Sequence, residues 1–184
     1  MARRPLRWLV LLMGLPVLGI AALTTAGFFL PAGHLAVSRA RFAVPADSVW
    51  AVISDLERAP SWRPDVQRME RLPDRDGRPM WLEVGQTGSL PYAVVEWTPP
   101  SRLALRIEDP DLPFGGTWTY VVEPAEAGAL LTVTEQGTIR NALFRALSRF
   151  VFGHHSTLDG YLRSLGKRFG EETAPEHLPA RPGA

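Results

Sequence analysis

The sequence predicts an α+β domain: a curved antiparallel sheet around a long C-terminal helix, preceded by one transmembrane helix. Three patterns carry that expectation. Residues 34–44, and several runs between 66 and 138, alternate apolar and polar with a period of two and are separated by turn signals, as in antiparallel strands with one covered face. From 141 to 169 the apolar residues Leu143, Leu147, Val151, Leu158, Leu162, Leu165 and Phe169 return every three or four positions, the period of an amphipathic helix. Residues 8–30 contain no charged side chain.

As a helix, residues 8–30 would be about 34 Å long at roughly 1.5 Å per residue, enough to cross a hydrocarbon core of about 30 Å. Arg3, Arg4 and Arg7 precede the stretch and favour a cytoplasmic N-terminus, which puts everything after Gly33 on the extracytoplasmic (periplasmic or extracellular) side. Pro16 falls mid-span, where a membrane helix tolerates a kink. A cleaved signal peptide is the competing reading, with Thr24 and Ala26 as small residues at a cleavage site. Phe28, Phe29 and Leu30 continue the apolar run beyond that point and favour an uncleaved single-pass anchor. A buried soluble helix is the third reading. The chain then divides into a basic N-terminus (1–7), the anchor (8–30), one domain (34–170) and a tail (171–184). The tail is rich in Pro, Ala and charge without an apolar period, and reads as disordered.

Within the domain, residues 34–44 form the first expected strand. Arg39 and Arg41 belong on its wet face, so Ala40 and Phe42 belong inside. Pro45 ends it and can open a helix at the first position. Val49, Val52, Ile53 and Leu56 recur at helical spacing over 46–57. Pro60 stops that helix, and the two prolines of residues 59–66 indicate a turn or a single helical turn. Residues 66–72 and 79–84 flank an Asp-Gly hairpin signal at Asp76-Gly77. Runs at 92–98, 102–108, 117–123 and 130–138 complete the meander, and Gly153 bends or divides the helix that follows. The helix at 141–169 is the only element long enough to cover the sheet. Small inward residues at Ala36, Ser38 and Ala40 leave room between the two.

Composition narrows the function. The net charge is +1 and no long basic block follows the N-terminus, so nucleic acid is not an expected partner. The absence of cysteine excludes disulfides, thiolate catalysis and cysteine metal sites. Six tryptophans and eight phenylalanines supply a core without them.

The segment VPADSVWAVISDLERAPSWRPDV (44–66) resembles the first strand, short helix and tryptophan turn of the START-like (SRPBCC) superfamily. The segment TVTEQGTIRNALFRALSRFVFG (132–153) resembles the last strand and C-terminal helix of its polyketide cyclase/dehydrase and lipid-transport branch. The resemblance covers roughly residues 34–170 and implies a helix-grip fold. In that fold a seven-stranded sheet wraps the long helix and encloses a cavity for an apolar ligand. Its members include lipid carriers, plant hormone and pollen-allergen relatives, aromatase/cyclases and ring-hydroxylating oxygenase domains. They share no catalytic residue that could be transferred here, and the anchor is an addition to the family core.

Two residues are candidates for catalysis. Glu135 follows Leu131 and Val133 on one strand face, so alternation points it inward, where a carboxylate could meet a polar ligand head or act as a base. A structural bond, for instance with Arg140, is the plainer reading. His154 shares a helical stripe with Leu147, Val151, Leu158 and Leu162 and could contact a ligand or move a proton, or could be an ordinary core histidine. Ligand contact is expected from Trp62, Trp118, Tyr120, Glu135, His154 and Leu158, with the aromatic rings also serving as core. His155 and Asp159 are four apart, but two ligands fall short of a zinc site. No HExxH, nucleophile elbow or phosphate loop occurs, and no cofactor is expected. The leading expectation is therefore a non-catalytic module, tethered to a membrane, that binds a lipid or other hydrophobic small molecule. The alternatives are a cyclase or dehydratase working through Glu135 and His154, and a partner-binding protein with a closed cavity.

Overall fold

In the computed structural model an eight-stranded antiparallel sheet in the order β2-β3-β4-β5-β6-β7-β1-β8 curls around a C-terminal helix. The structure describes residues 4–179 except Thr87, with side chains from Leu15 onward except that of Phe152. After helix α1 (Arg4–Phe28) come strand β1 (Gly33–Phe42), helix α2 (Ala46–Ser54) and a 3-10 turn (Leu56–Ser61). The meander follows as β2 (Val66–Arg75), β3 (Arg78–Gly85), β4 (Ser89–Thr98), β5 (Arg102–Ile107), β6 (Phe114–Ala125) and β7 (Gly128–Ile139). Helix α3 (Ala142–Leu147), a π turn (Ser148–Phe152), helix α4 (Ser156–Arg168) and a short strand β8 (Glu176–His177) complete the chain.

The local rules act as the sequence suggests along the sheet. Ala36, Ser38, Ala40 and Phe42 are the buried face of β1, and they meet Leu131 and Val133 of β7 and the Leu158, Leu162 and Leu165 stripe of α4. Each of those leucines is fully buried and contributes about 1.5–3 kcal/mol by leaving water. Val49 and Ile53 turn α2 onto the same core. The β2–β3 hairpin turns through Asp76 and Gly77, both in the left-handed region at φ 52° and 71°, the pair of positive values that a type I′ turn needs.

The helix expected over 141–169, which Gly153 was expected to bend or divide, is divided there: Gly153 leaves the helical region at φ 74° after the π turn, and α4 is the piece that packs along β1. Other expectations need correction. Val151 is 61% exposed and does not share the stripe of Leu158 and Leu162. The helix expected over 46–57 ends at Ser54, and the chain tightens into a 3-10 turn that runs through Pro60. The tail is not free between 171 and 179. The Glu171 carboxylate accepts from the Ala43 N–H at 3.1 Å, and β8 pairs with β1 at Ser38 and Arg39, supplying the eighth strand. Residues 180–184 lie outside the described residues.

The expected anchor is not supported among the described residues. Residues 8–28 are helical within α1, but among the described residues no helix is long and apolar enough to cross a membrane. The side chains of residues 8–14, part of the expected span, lie outside the described set. The end of α1 is engaged by the domain: Gly27 is buried against α3, and a Cβ there would come within 1.8 Å of the Ala142 carbonyl oxygen.

Candidate functional site

Between the sheet and α4 lies a cavity of about 960 Å³. The 3-10 turn places Trp62 and Arg63 at one side, β3 and β4 bring Glu83 and Tyr92, and β6 brings Trp118 and Tyr120. Tyr161 reaches in from α4, which presents Gly160 and Ser164 to the same space. Tyr161 is the hub of the aromatic wall. Its ring lies 5.1 Å from Trp62 in an edge-to-face contact, 5.1 Å from Tyr120 and 6.2 Å from Trp118. Such pairs orient one another beyond the burial they provide.

One ion-paired cluster is built into this wall. Arg63 donates from Nη1 to Glu83 Oε2 at 2.7 Å, and from Nη2 to Glu83 Oε1 at 3.2 Å and Asp65 Oδ2 at 2.6 Å. Its guanidinium also sits 5.6 Å from the centre of the Tyr161 ring. Burial alone would loosen the Arg63 proton, but Glu83 and Asp65 more than offset it and hold the group firmly cationic. The Tyr120 and Tyr161 hydroxyls are pushed well above the usual tyrosine range by burial, and Tyr92 is raised for the same reason, so all three stay protonated at neutral pH. They can donate hydrogen bonds there, but they are not bases. The Trp62 Nε1 donor is buried without a partner.

A second polar cluster lies outside the cavity lining and collects all four histidines of the chain. His34 on β1 donates from Nε2 to Glu135 Oε1 at 3.3 Å, since the carboxylate can only accept, and its ring stacks on His154 at 4.5 Å. His154 Nδ1 is 3.0 Å from the Ser148 hydroxyl. His34 thus stands between Glu135 and His154, and Arg140, the example given as a structural partner for Glu135, instead donates to the carbonyls of Pro110 and Leu112. Nearby, the buried Ser38 hydroxyl donates to Asp159 Oδ1 at 2.9 Å and faces His155 Nδ1 at 3.2 Å. His177 of β8 stacks on His155 at 4.0 Å and bonds Asp159 Oδ2 at 2.9 Å. Burial, and then the neighbouring His34 and His177 respectively, push His154 and His155 below the usual histidine range. Asp159 is therefore occupied by Ser38 and His177, and among the described residues no group of three or more metal-ligating side chains is arranged to hold an ion.

Of the six residues expected to touch ligand, Trp62, Trp118 and Tyr120 line the cavity, Glu135 and His154 stand in the histidine cluster, and Leu158 is packed in the core. Tyr161, Arg63, Glu83 and His34 were not foreseen. Tyr161 was legible, because with Leu158, Leu162 and Leu165 it completes an i, i+3, i+4, i+7 stripe on α4.

The chain belongs to the polyketide cyclase/dehydrase and lipid transport family, whose model matches residues 34–167. Its fold is similar to a START superfamily protein from Mycobacterium smegmatis (TM-score 0.58, 20% identity, 73% of this chain and 96% of that one). It is also similar to the ZhuI aromatase/cyclase from Streptomyces sp. R1128 (TM-score 0.58, 13% identity, 72% and 91%). A third likeness is to the di-domain aromatase/cyclase StfQ of the steffimycin biosynthetic pathway (TM-score 0.57, 17% identity), where 75% of this chain spans about half, 52%, of the other. At these identities the likeness is one of fold. No curated protein matches the chain.

Proposed function

We propose that this chain is a binding domain that holds a hydrophobic small molecule, a lipid or an aromatic compound, in the cavity between its sheet and α4. The observation that carries this reading is the lining: the walls are mainly aromatic and aliphatic side chains with one guanidinium paired to Glu83 and Asp65, while Glu135 and His154 stand outside. A cavity of about 960 Å³ is of the size that small-molecule sites occupy. Native mass spectrometry of the domain purified from its own host should show a co-purifying apolar compound, and a fluorescent apolar probe should be displaced by it. No bound compound and no probe binding would reject the reading.

A cyclase or dehydratase reading is favoured by one arrangement, the Glu135–His34 hydrogen bond beside the stacked His154 ring, which gathers acid–base groups of the kind that proton transfer uses. Aromatase/cyclases among proteins of this fold are consistent with it. If turnover of a bound polyketide-like substrate is found, Glu135→Gln should abolish it, and unchanged turnover would remove this reading.

Placement beside a membrane, with the domain on the extracytoplasmic side, is part of the same proposal. It is supported by the uncharged run 8–30, the arginines before it and the exposed Phe28, Phe29, Phe144 and Phe150 around the end of α1 and the α3 segment. Membrane fractionation of the full chain, with protease accessibility from either side, tests it. Recovery of the full-length chain in the soluble fraction would reject it.

A further inference from the structure

We infer that the cavity selects ligands by charge: it takes aromatic or amphiphilic molecules ending in a cationic amine, accepts uncharged ones less well, and disfavours carboxylates. The inference rests on the binding reading above and adds the chemical class of the ligand to it.

The argument is a census of the wall. Among its lining residues the cationic side chain is Arg63, and the anionic ones are Asp55, Asp65 and Glu83. Arg63 is already committed to two of those carboxylates, with three contacts of 3.2 Å or less. One guanidinium between two carboxylates leaves one negative charge in excess, carried at the cavity's edge by Asp65, whose side chain is 63% exposed, beside the buried Arg63–Glu83 pair. Asp55 is partly answered by Arg58 at 3.4 Å, but the Arg58 side chain is 83% exposed and its charge is shared with solvent.

An incoming carboxylate would meet that excess with neutral donors alone, Trp62 Nε1 and the tyrosine hydroxyls, and with no uncommitted cation in the lining to answer its charge. To reach Arg63 it would have to displace Glu83, whose side chain is only 10% exposed, and leave that carboxylate buried and unpaired. An ammonium meets the opposite situation. Its charge completes the neutralisation that Arg63 leaves unfinished. The wall is also rich in ring faces (Trp62, Trp118, Tyr120 and Tyr161), which attract cations through their electron-rich surfaces. The protein already uses this attraction, since the Arg63 guanidinium lies over the Tyr161 ring.

The test is a matched series on one aryl body: naphthyl-ethylamine, naphthyl-ethanol and naphthyl-acetic acid, each titrated calorimetrically into the full chain at low and high salt. The amine should bind at least about tenfold more tightly than the acid at low salt, with the alcohol between, and the gap should narrow as salt screens the charges. Asp65→Asn leaves the Arg63–Glu83 pair in place. It should weaken the amine and tighten the acid severalfold while leaving the alcohol unchanged, which separates a charge effect from a folding defect. If the alcohol binds and the acid equals or exceeds the amine, charge selection is overturned and the binding reading stands. An unchanged amine-to-acid ratio in Asp65→Asn likewise overturns it. If none of the three binds, both fall together.

Discussion

At the scale of single residues, the consequential groups are those whose partners lie far away in the chain. Arg63 and Glu83 are an example. Removing one member strands the other in a low-dielectric wall, so Glu83→Gln should destabilise the fold by about 3–5 kcal/mol in chemical denaturation. Asp65→Asn, at a side chain 63% exposed, should cost far less. Gly137 is a second case. A Cβ there would sit 2.1 Å from the His34 ring, so Gly137→Ala must push that imidazole off Glu135 and His154. A loss of about 1–3 kcal/mol is expected, with the His34 ring resonances shifted in NMR spectra. The histidines also set a pH dependence. His154 and His155 have folded values below their unfolded ones, so the unfolded chain binds protons first as the pH falls. Their contribution to stability is complete above the ordinary histidine range and is lost as the pH falls toward the depressed values. Unfolding free energy should therefore drop between about pH 7 and 5, and a His154→Gln/His155→Gln double variant should flatten that slope. None of these pairings was legible beforehand. Glu83 stands in an ordinary strand run, Arg63 in a proline turn, and His34 beside the presumed anchor. Sequence spacing carries no information about which distant residue will answer a charge.

Secondary-structure elements were more readable, because their signals are local. Alternation located the seven long strands, and Asp76-Gly77 marked the hairpin. The C-terminal helix shows where periodicity fails. Apolar residues continue at helical spacing on both sides of Gly153, which marks the break, but spacing does not record the change of phase across it, so Val151 is exposed while Leu158 is buried. Gly153→Ala isolates that feature. No atom lies within 4 Å of the position a Cβ would take, so its cost is conformational alone. A loss of about 1 kcal/mol is expected from the positive φ, read as a lower midpoint of thermal unfolding. The tail was misread for a different reason. A two-residue strand has no detectable period, and its docking depends on Asp159 and on the backbone of β1 being free to accept it.

At the scale of the whole molecule, fold class and the existence of a space under the gripping helix followed from element order, whereas the lining did not. Gly160 provides a direct test of that space. It faces the cavity from the middle of α4, and a Cβ there would meet no atom within 4 Å. Gly160→Ala should stabilise the domain by up to about 1 kcal/mol through helix propensity. Gly160→Leu should keep that gain while intruding on the cavity, so thermal stability should hold or rise as affinity for apolar probes falls severalfold. If Gly160→Leu binds such probes as tightly as the parent, the ligand does not occupy this space.

The sheet has two borders, and they are treated differently. One is β2, whose outward hydrogen-bonding row is flanked by Arg68, Glu70, Arg71 and Asp74, charges that discourage a second molecule from adding a strand. The other would be β1, whose middle at Val37, Ser38 and Arg39 is capped by the docked tail. Proteolytic trimming after Phe169 would thus leave the ligand wall in place while uncovering a template for edge-to-edge association, and the trimmed protein should self-associate under conditions where the complete chain does not.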